Sequence, residues 1–167
     1  MVFAIRYPQM TRSLVVSSSV SQIDPLLNAI GQSWSGALQS RDPGTLFNVT
    51  HPFNFSEDWI RNNQAVLAAS RKGYELMDFT SVSELMAAFT RLSITDQLSR
   101  ITCPTLVLVG ENDLLKPRKY SEIITNNIPG AELIIIPDAG HAVCLEKPGA
   151  FNSAVLGFIL KHSEVVA

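Results

Sequence analysis

A chain of 167 residues with 46% hydrophobic content is long enough for one domain and apolar enough to fill its core, which excludes disorder of the whole. Lysine and arginine number 13 against 15 acidic residues and form no basic block, so nucleic acid is not an expected partner. The longest apolar runs, 106–109 and 133–136, are far shorter than the roughly 20 residues of a membrane helix, and Arg6 comes too early for the apolar stretch of an export signal.

In chain order, residues 2–7 read as the last turns of a helix stopped by Pro8, and 13–17 as a short buried strand, so the chain is expected to begin inside a fold. Ser17, Ser18 and Ser19, with Asp24-Pro25, break that strand. Leu26, Leu27, Ile30, Trp34 and Leu38 then recur at helical spacing and predict a helix over 25–40. Pro, Gly, Asn and Thr with scattered aromatics predict a loop over 41–55, packed by its own side chains. Two glycosylation-type triplets there, at Asn48 and Asn54, read as loop polarity in a protein with no visible route to secretion.

Ser56 offers a helix cap, Glu57 and Asp58 suit a helix amino terminus, and Trp59, Ile60, Val66 and Leu67 supply the apolar face of one further helix. Ser81 and Glu84 make a capping-box pattern ahead of Val82, Leu85, Met86, Phe89 and Leu92. Residues 20–95 are therefore expected to be mainly helical.

From Pro104 the pattern changes. Residues 105–110 form an uninterrupted apolar run, the mark of a parallel strand buried on both faces. A loop over 111–116 follows, and Pro117 is placed to start a helix bearing Tyr120, Ile123, Ile124 and Ile128 that Pro129-Gly130 stops. A second buried strand is predicted over 132–136, and Pro148 opens a last helix with Phe151, Val155, Phe158 and Ile159 on one side. Strand, helix, strand, helix predicts a right-handed parallel crossover.

In open parallel sheets, functional groups gather beyond the carboxyl ends of the strands. Asp113 follows one predicted strand and His141 the next, so adjacent strands would bring both to one rim. A carboxylate accepting a hydrogen bond from one imidazole nitrogen fixes the tautomer and leaves the other nitrogen free to take a proton. Taken singly, Asp113 also suits a turn and His141 a satisfied structural histidine.

Pro104-Thr-Leu-Val-Leu-Val-Gly-Glu-Asn-Asp113, Ile128-Pro-Gly-Ala131, Ile136-Pro-Asp-Ala-Gly-His141 and Glu146-Lys-Pro148 closely resemble the carboxyl-terminal signature of α/β-hydrolases, strongly over about 100–162. The resemblance implies that Asp113 is the triad acid and His141 the triad base, in the order nucleophile, acid, histidine. Residues 4–17 are similar to the segment just after the family's nucleophile elbow, and the middle of the chain to its mobile helical cap. The expected fold is α/β: the carboxyl-terminal portion of an α/β-hydrolase parallel sheet, about three strands, with an inserted helical cap. Its expected divisions are 1–19, a remnant of core helix and strand; 20–95, the cap; and 96–167, the core with the acid and histidine loops.

No G-x-S-x-G elbow occurs in the 167 residues, so the elbow and the amino-terminal strands are expected to precede Met1 in a truncated chain. The resemblance implies hydrolysis of an ester, lactone or carbon-carbon bond of a small, partly apolar molecule, without metal or organic cofactor, nearest to enol-lactone and ring-cleavage-product hydrolases. Whether this chain is itself an enzyme stays open. Its rivals are a non-catalytic binding or assembly fragment that pairs or self-associates through the exposed sheet edge, and one half of a hydrolase completed by a separately encoded fragment.

Other residues carry alternatives. Ser17, Ser18 and Ser19 are substitute nucleophiles or polar loop residues, and Cys144 is a thiolate near His141 or a thiol filling space under the loop. Cys103 and Cys144 together read as buried thiols of a reducing, cytoplasmic protein. Asp24 is a second acid or the cap of the helix at Pro25. Glu111 is expected to make loop hydrogen bonds, and His51 and His162 to be structural. Trp34, Phe47, Phe53, Phe55, Trp59, Met77, Met86 and Phe89 are core, with some of them free to line an apolar pocket.

Overall fold

A computed structural model describes residues 1–163. Residues 164–167, the end of the third predicted division, lie outside the described residues. Three strands, β1 (Leu14–Ser17), β2 (Thr105–Gly110) and β3 (Glu132–Ile136), form one parallel sheet in the order β1-β2-β3, with Val16 beside Val107 and Leu108 beside Ile134. Strand β2 has a neighbour on each side and is buried along its whole length, as its unbroken apolar run predicts. Strand β3 was expected to be equally buried. Only Ile136 is, because β3 pairs on one side alone among the described residues.

The two-residue period of β2 divides the core. Val107 joins Ala4, Ile5, Val16, Leu98, Ile101 and Ile124 on one face, while Leu106 and Leu108 join Ile136, Val143 and Phe158 on the other. The first cluster includes α1 (Val2–Arg6), which ends before the 3₁₀ turn Pro8–Met10. After β1 come α2 (Pro25–Ser40), α3 (Pro43–Asn54), α4 (Glu57–Asn62), α5 (Gln64–Glu75) and α6 (Phe79–Phe89); after β2 comes α7 (Arg118–Asn127). Short α8 (Val143–Glu146) and α9 (Pro148–His162) follow β3. On α9, Phe151 and Val155 pack beside buried Phe158, but Ile159 is exposed, at the margin of the predicted face.

Five helices thus form an excursion between β1 and β2, and its two ends are pinned together. Gln22 and Ser93 form an antiparallel bridge, Ile94 N donates to Ser21 O at 2.8 Å, and Ile23 N donates to Leu92 O at 3.2 Å.

Three local expectations are corrected. The predicted loop over 41–55 is helix α3. Asp42 accepts a hydrogen bond from Thr45 N at 2.7 Å and Pro43 occupies the first turn. Burial of Leu46, Phe47 and Thr50 then outweighs the poor helix propensity of Gly44, Asn48 and Val49, and Pro52 is tolerated near the end. The single helix expected after Ser56 is broken at Asn63, whose side chain donates to Trp59 O at 2.8 Å and ends α4. The capping box at Ser81 does not form, because α6 begins one turn earlier. Asp78 is its cap, accepting from Thr80 N at 3.0 Å and from the Ser81 hydroxyl at 2.6 Å.

Candidate active site

The loops after β2 and β3 are sewn together by their backbones. Glu111 N donates to Ile136 O at 2.9 Å and Asn112 N to Ala139 O at 2.8 Å. Gly110 permits this approach: a Cβ there would stand 2.2 Å from Gly140 O and 2.4 Å from Ala139 O, far inside contact distance. Glu111 also accepts from Asp138 N at 3.2 Å, the loop role expected of it, and Asp138 itself adopts φ 55°.

Asp113 stands at the rim of β2 with its side chain wholly buried. Its Oδ1 accepts from Lys116 N at 2.7 Å, which closes the turn, and its Oδ2 lies 2.9 Å from His141 Nδ1. An ionised carboxylate only accepts, so this hydrogen bond takes the proton on His141 Nδ1 and leaves Nε2 as the atom free to take another. The imidazole keeps about a fifth of its surface open. The structure therefore brings together the two residues singled out from the sequence.

Beside His141 opens a cavity of about 230 Å³, walled by Leu27, Trp34, Met86, Phe89, Leu115 and Lys116. The helical excursion supplies four of these residues. Inside the excursion Phe47 instead packs edge-on against Tyr74 and Met77 against Ala37, Leu38 and Leu46, while Phe53 sits against Trp34 and Phe55 stacks on Trp59 at 4.0 Å. Burial pulls the Lys116 ammonium below the ordinary lysine range, while the charge of Asp113 works against that shift.

Sequence reasoning missed Glu146 as a residue of this region. It accepts from Gly140 N at 2.9 Å, from Ser56 N at 3.2 Å and from the Ser56 hydroxyl at 2.6 Å. One carboxylate thereby ties the histidine loop to the start of α4, and Ala142 N donates to Asn54 O at 2.8 Å alongside. The sequence contained the motif around Glu146 but no sign of what it holds, because its partners lie up to 90 residues away.

The remaining candidates are placed elsewhere. Asp24 caps α2, accepting from Leu27 N at 2.9 Å. Ser17 is exposed, and Ser18, at φ 44°, buries a hydroxyl that meets no partner. No hydrogen bond joins Ser17, Ser18 or Ser19 to His141 among the described residues. Cys103 is buried as expected, but Cys144 is exposed on α8 and fills no space under the loop; the short helix turns it outward. His51 stacks on Phe47 at 4.4 Å, and His162 lies 3.2 Å from Glu132. Among the described residues no group of three or more His, Cys, Asp or Glu is arranged to hold a metal ion, and no helix is long and apolar enough to cross a membrane.

The family model described as serine aminopeptidase S33, an α/β-hydrolase family, matches residues 1–148. The chain belongs to this family. It is 28% identical over 162 residues to RutD of Caulobacter sp. (strain K31), provisionally named a carbamate hydrolase, covering 95% of this chain and 60% of that protein. Among solved structures, the α/β-hydrolase MGS-M2 from a Medee basin deep-sea metagenome superposes with a TM-score of 0.90 at 24% identity, covering 99% of this chain and 62% of that one. The enol-lactonase of Burkholderia xenovorans LB400 gives 0.86 at 20% identity, covering 95% and 60%. At these identities the superpositions establish the fold, the carboxyl-terminal portion of an α/β-hydrolase. The chain spans about 60% of the length of the curated relatives it matches.

Proposed function

We propose that this S33-family chain carries the acid and the base of a serine-hydrolase triad, with Asp113 orienting His141 and His141 moving the proton. The substrate is a small, partly apolar ester, lactone or compound with a cleavable carbon-carbon bond. The observation that carries this reading is the 2.9 Å hydrogen bond from His141 Nδ1 to a carboxylate with no exposed surface, at the mouth of an apolar cavity. In such a site a hydroxyl attacks the carbonyl carbon as His141 Nε2 takes its proton. His141 then returns that proton to the leaving oxygen, and water repeats the sequence to free the acid. Residues 20–95 act as the cap over this chemistry, and 1–19 with 96–167 as the core beneath. The names of the relatives, carbamate hydrolase and enol-lactonase, support acyl chemistry on small molecules.

The hydroxyl that this chemistry requires is the one a G-x-S-x-G elbow would supply, a motif the 167 residues do not contain. A second reading follows from the same fact together with the unpaired side of β1: the chain by itself is a binding or assembly fragment, or one half of a complemented hydrolase. Intact mass, labelling by a fluorophosphonate and hydrolysis of an ester and lactone panel separate the two. Reaction lost on the order of 10⁴-fold in Asp113→Asn and abolished in His141→Ala supports the hydrolase. A chain of the expected mass that neither labels nor turns over any ester supports the fragment.

A further inference from the structure

Most of the cavity beside His141 is hydrocarbon, and the polar residues that line it, Asn54, Lys116 and His141, include one permanent cation and no carboxylate. Lys116 lines it with an ammonium that makes no hydrogen bond or ion pair among the described residues. That ammonium lies 5.3 Å from the centroid of the Phe89 ring, another wall residue, within reach of a cation–π contact. Asp113 does not neutralise it by contact, since its two oxygens are spent on the backbone N–H of Lys116 and on His141. Trp34, a third wall residue, has an indole N–H that is buried without a partner. No carboxylate lines the cavity. A pocket that desolvates a cation and gives it no carboxylate partner leaves part of that cost to be offset by what binds there.

We propose that the ligand of this cavity carries a carboxylate, paired with Lys116, at the end of a short apolar body that packs against Phe89, Met86 and Trp34. This rests on the hydrolase reading for the ligand's being a substrate, but its recognition element is separate from the triad. A carboxylate beside an ammonium set among apolar side chains gains a charge-assisted bond that a neutral amide or ester of the same shape lacks. The specificity would then lie in the acid-bearing end of the substrate, with the scissile carbonyl left to His141.

The test is equilibrium binding to the full chain, by calorimetry and tryptophan fluorescence, of 4-phenylbutyrate and its neutral isostere 4-phenylbutyramide. The acid is expected to bind about tenfold more tightly, equivalent to about 1.4 kcal/mol. Lys116→Met is expected to bring the ratio to about one while amide affinity persists, which also reports that the variant is folded. Lys116→Arg keeps the preference, and so does His141→Gln, which removes the proton-transfer group without touching Lys116. A ratio near or below one in the unaltered chain, no binding of either probe, a preference that survives Lys116→Met, or one that vanishes in His141→Gln overturns the proposal. Because no turnover is measured, failure of the hydrolase reading leaves this ratio intact. Failure of this proposal instead appears as a ratio near one in the unaltered chain, whatever the ester and lactone panel shows.

Discussion

At the scale of single residues, the approach of His141 to Asp113 depends on neighbours that perform no chemistry. Gly140 lies where a Cβ would meet Ser56 N at 2.4 Å and the Phe55 carbonyl carbon at 2.6 Å, both of them backbone that cannot swing aside. Gly140→Ala therefore has to push the histidine loop away from the start of α4, at a cost of about 1–3 kcal/mol. Glu146→Gln keeps one acceptor oxygen but turns an amide NH₂ toward donors at Ser56 and Gly140, at a cost of about 2 kcal/mol. Both variants are expected to melt a few degrees lower than the unaltered chain. Both should also lose the downfield proton resonance of the His141–Asp113 hydrogen bond, or show it shifted, in NMR spectra. A lowered melting point with that resonance unmoved would show that the Glu146 tie stabilises the fold without positioning the histidine.

At the scale of elements, Asp24 shows how a residue weighed as a possible acid becomes a joint. It accepts from Leu27 N, from the Tyr120 hydroxyl at 2.7 Å and from Lys119 Nζ at 3.1 Å, so it caps α2 and fastens α7 to it. The Leu27 amide foremost, then Tyr120 and Lys119, hold its carboxyl down at about 2. Since the folded value lies below the ordinary 3.8, the stabilisation is fully present above about pH 4 and is lost as pH falls through 2. The difference in melting temperature between the unaltered chain and Asp24→Asn is thus expected to be constant from pH 5 to 7 and to vanish toward pH 2. A difference independent of pH would mean that the charge contributes nothing to the joint. The strands and the meeting of Asp113 with His141 were legible because β2 is buried on both faces and because each of the two residues lies in the loop that follows a strand. Helix α3 was not, since its residues favour loops and only tertiary burial of Leu46 and Phe47 settles the matter. Neither was the role of Glu146, whose partners are brought to it by the fold. The start of α6 was misplaced because Ser81 is a good cap in the wrong turn, where Asp78 takes its hydroxyl as a ligand instead.

At the scale of the whole molecule, the sheet is paired unevenly. Strand β1 hydrogen-bonds to β2 alone, so a row of backbone donors and acceptors on its other side has no strand partner among the described residues. Phe3 and Met10, on the α1 turn and the 3₁₀ turn that lead into β1, are 55% and 67% exposed, and Tyr7 between them, 45% exposed, sets its ring 5.1 Å from that of Phe3. Exposed aromatic and thioether groups next to an open strand edge are what a further piece of chain, or a second copy, would cover. We therefore expect the purified 167-residue chain to self-associate, with a sedimentation coefficient that rises with concentration, and expect Phe3→Lys combined with Met10→Lys to suppress the rise. Two charges on already exposed positions leave the monomer's melting temperature within about a degree, because they remove no buried contact. If the double variant associates as strongly as the parent, the edge of β1 alone is sufficient and the apolar residues are bystanders. A parent that stays monomeric up to high concentration would instead mean that the twist of a four-residue strand already blunts the edge, in which case any partner must be recognised by side chains.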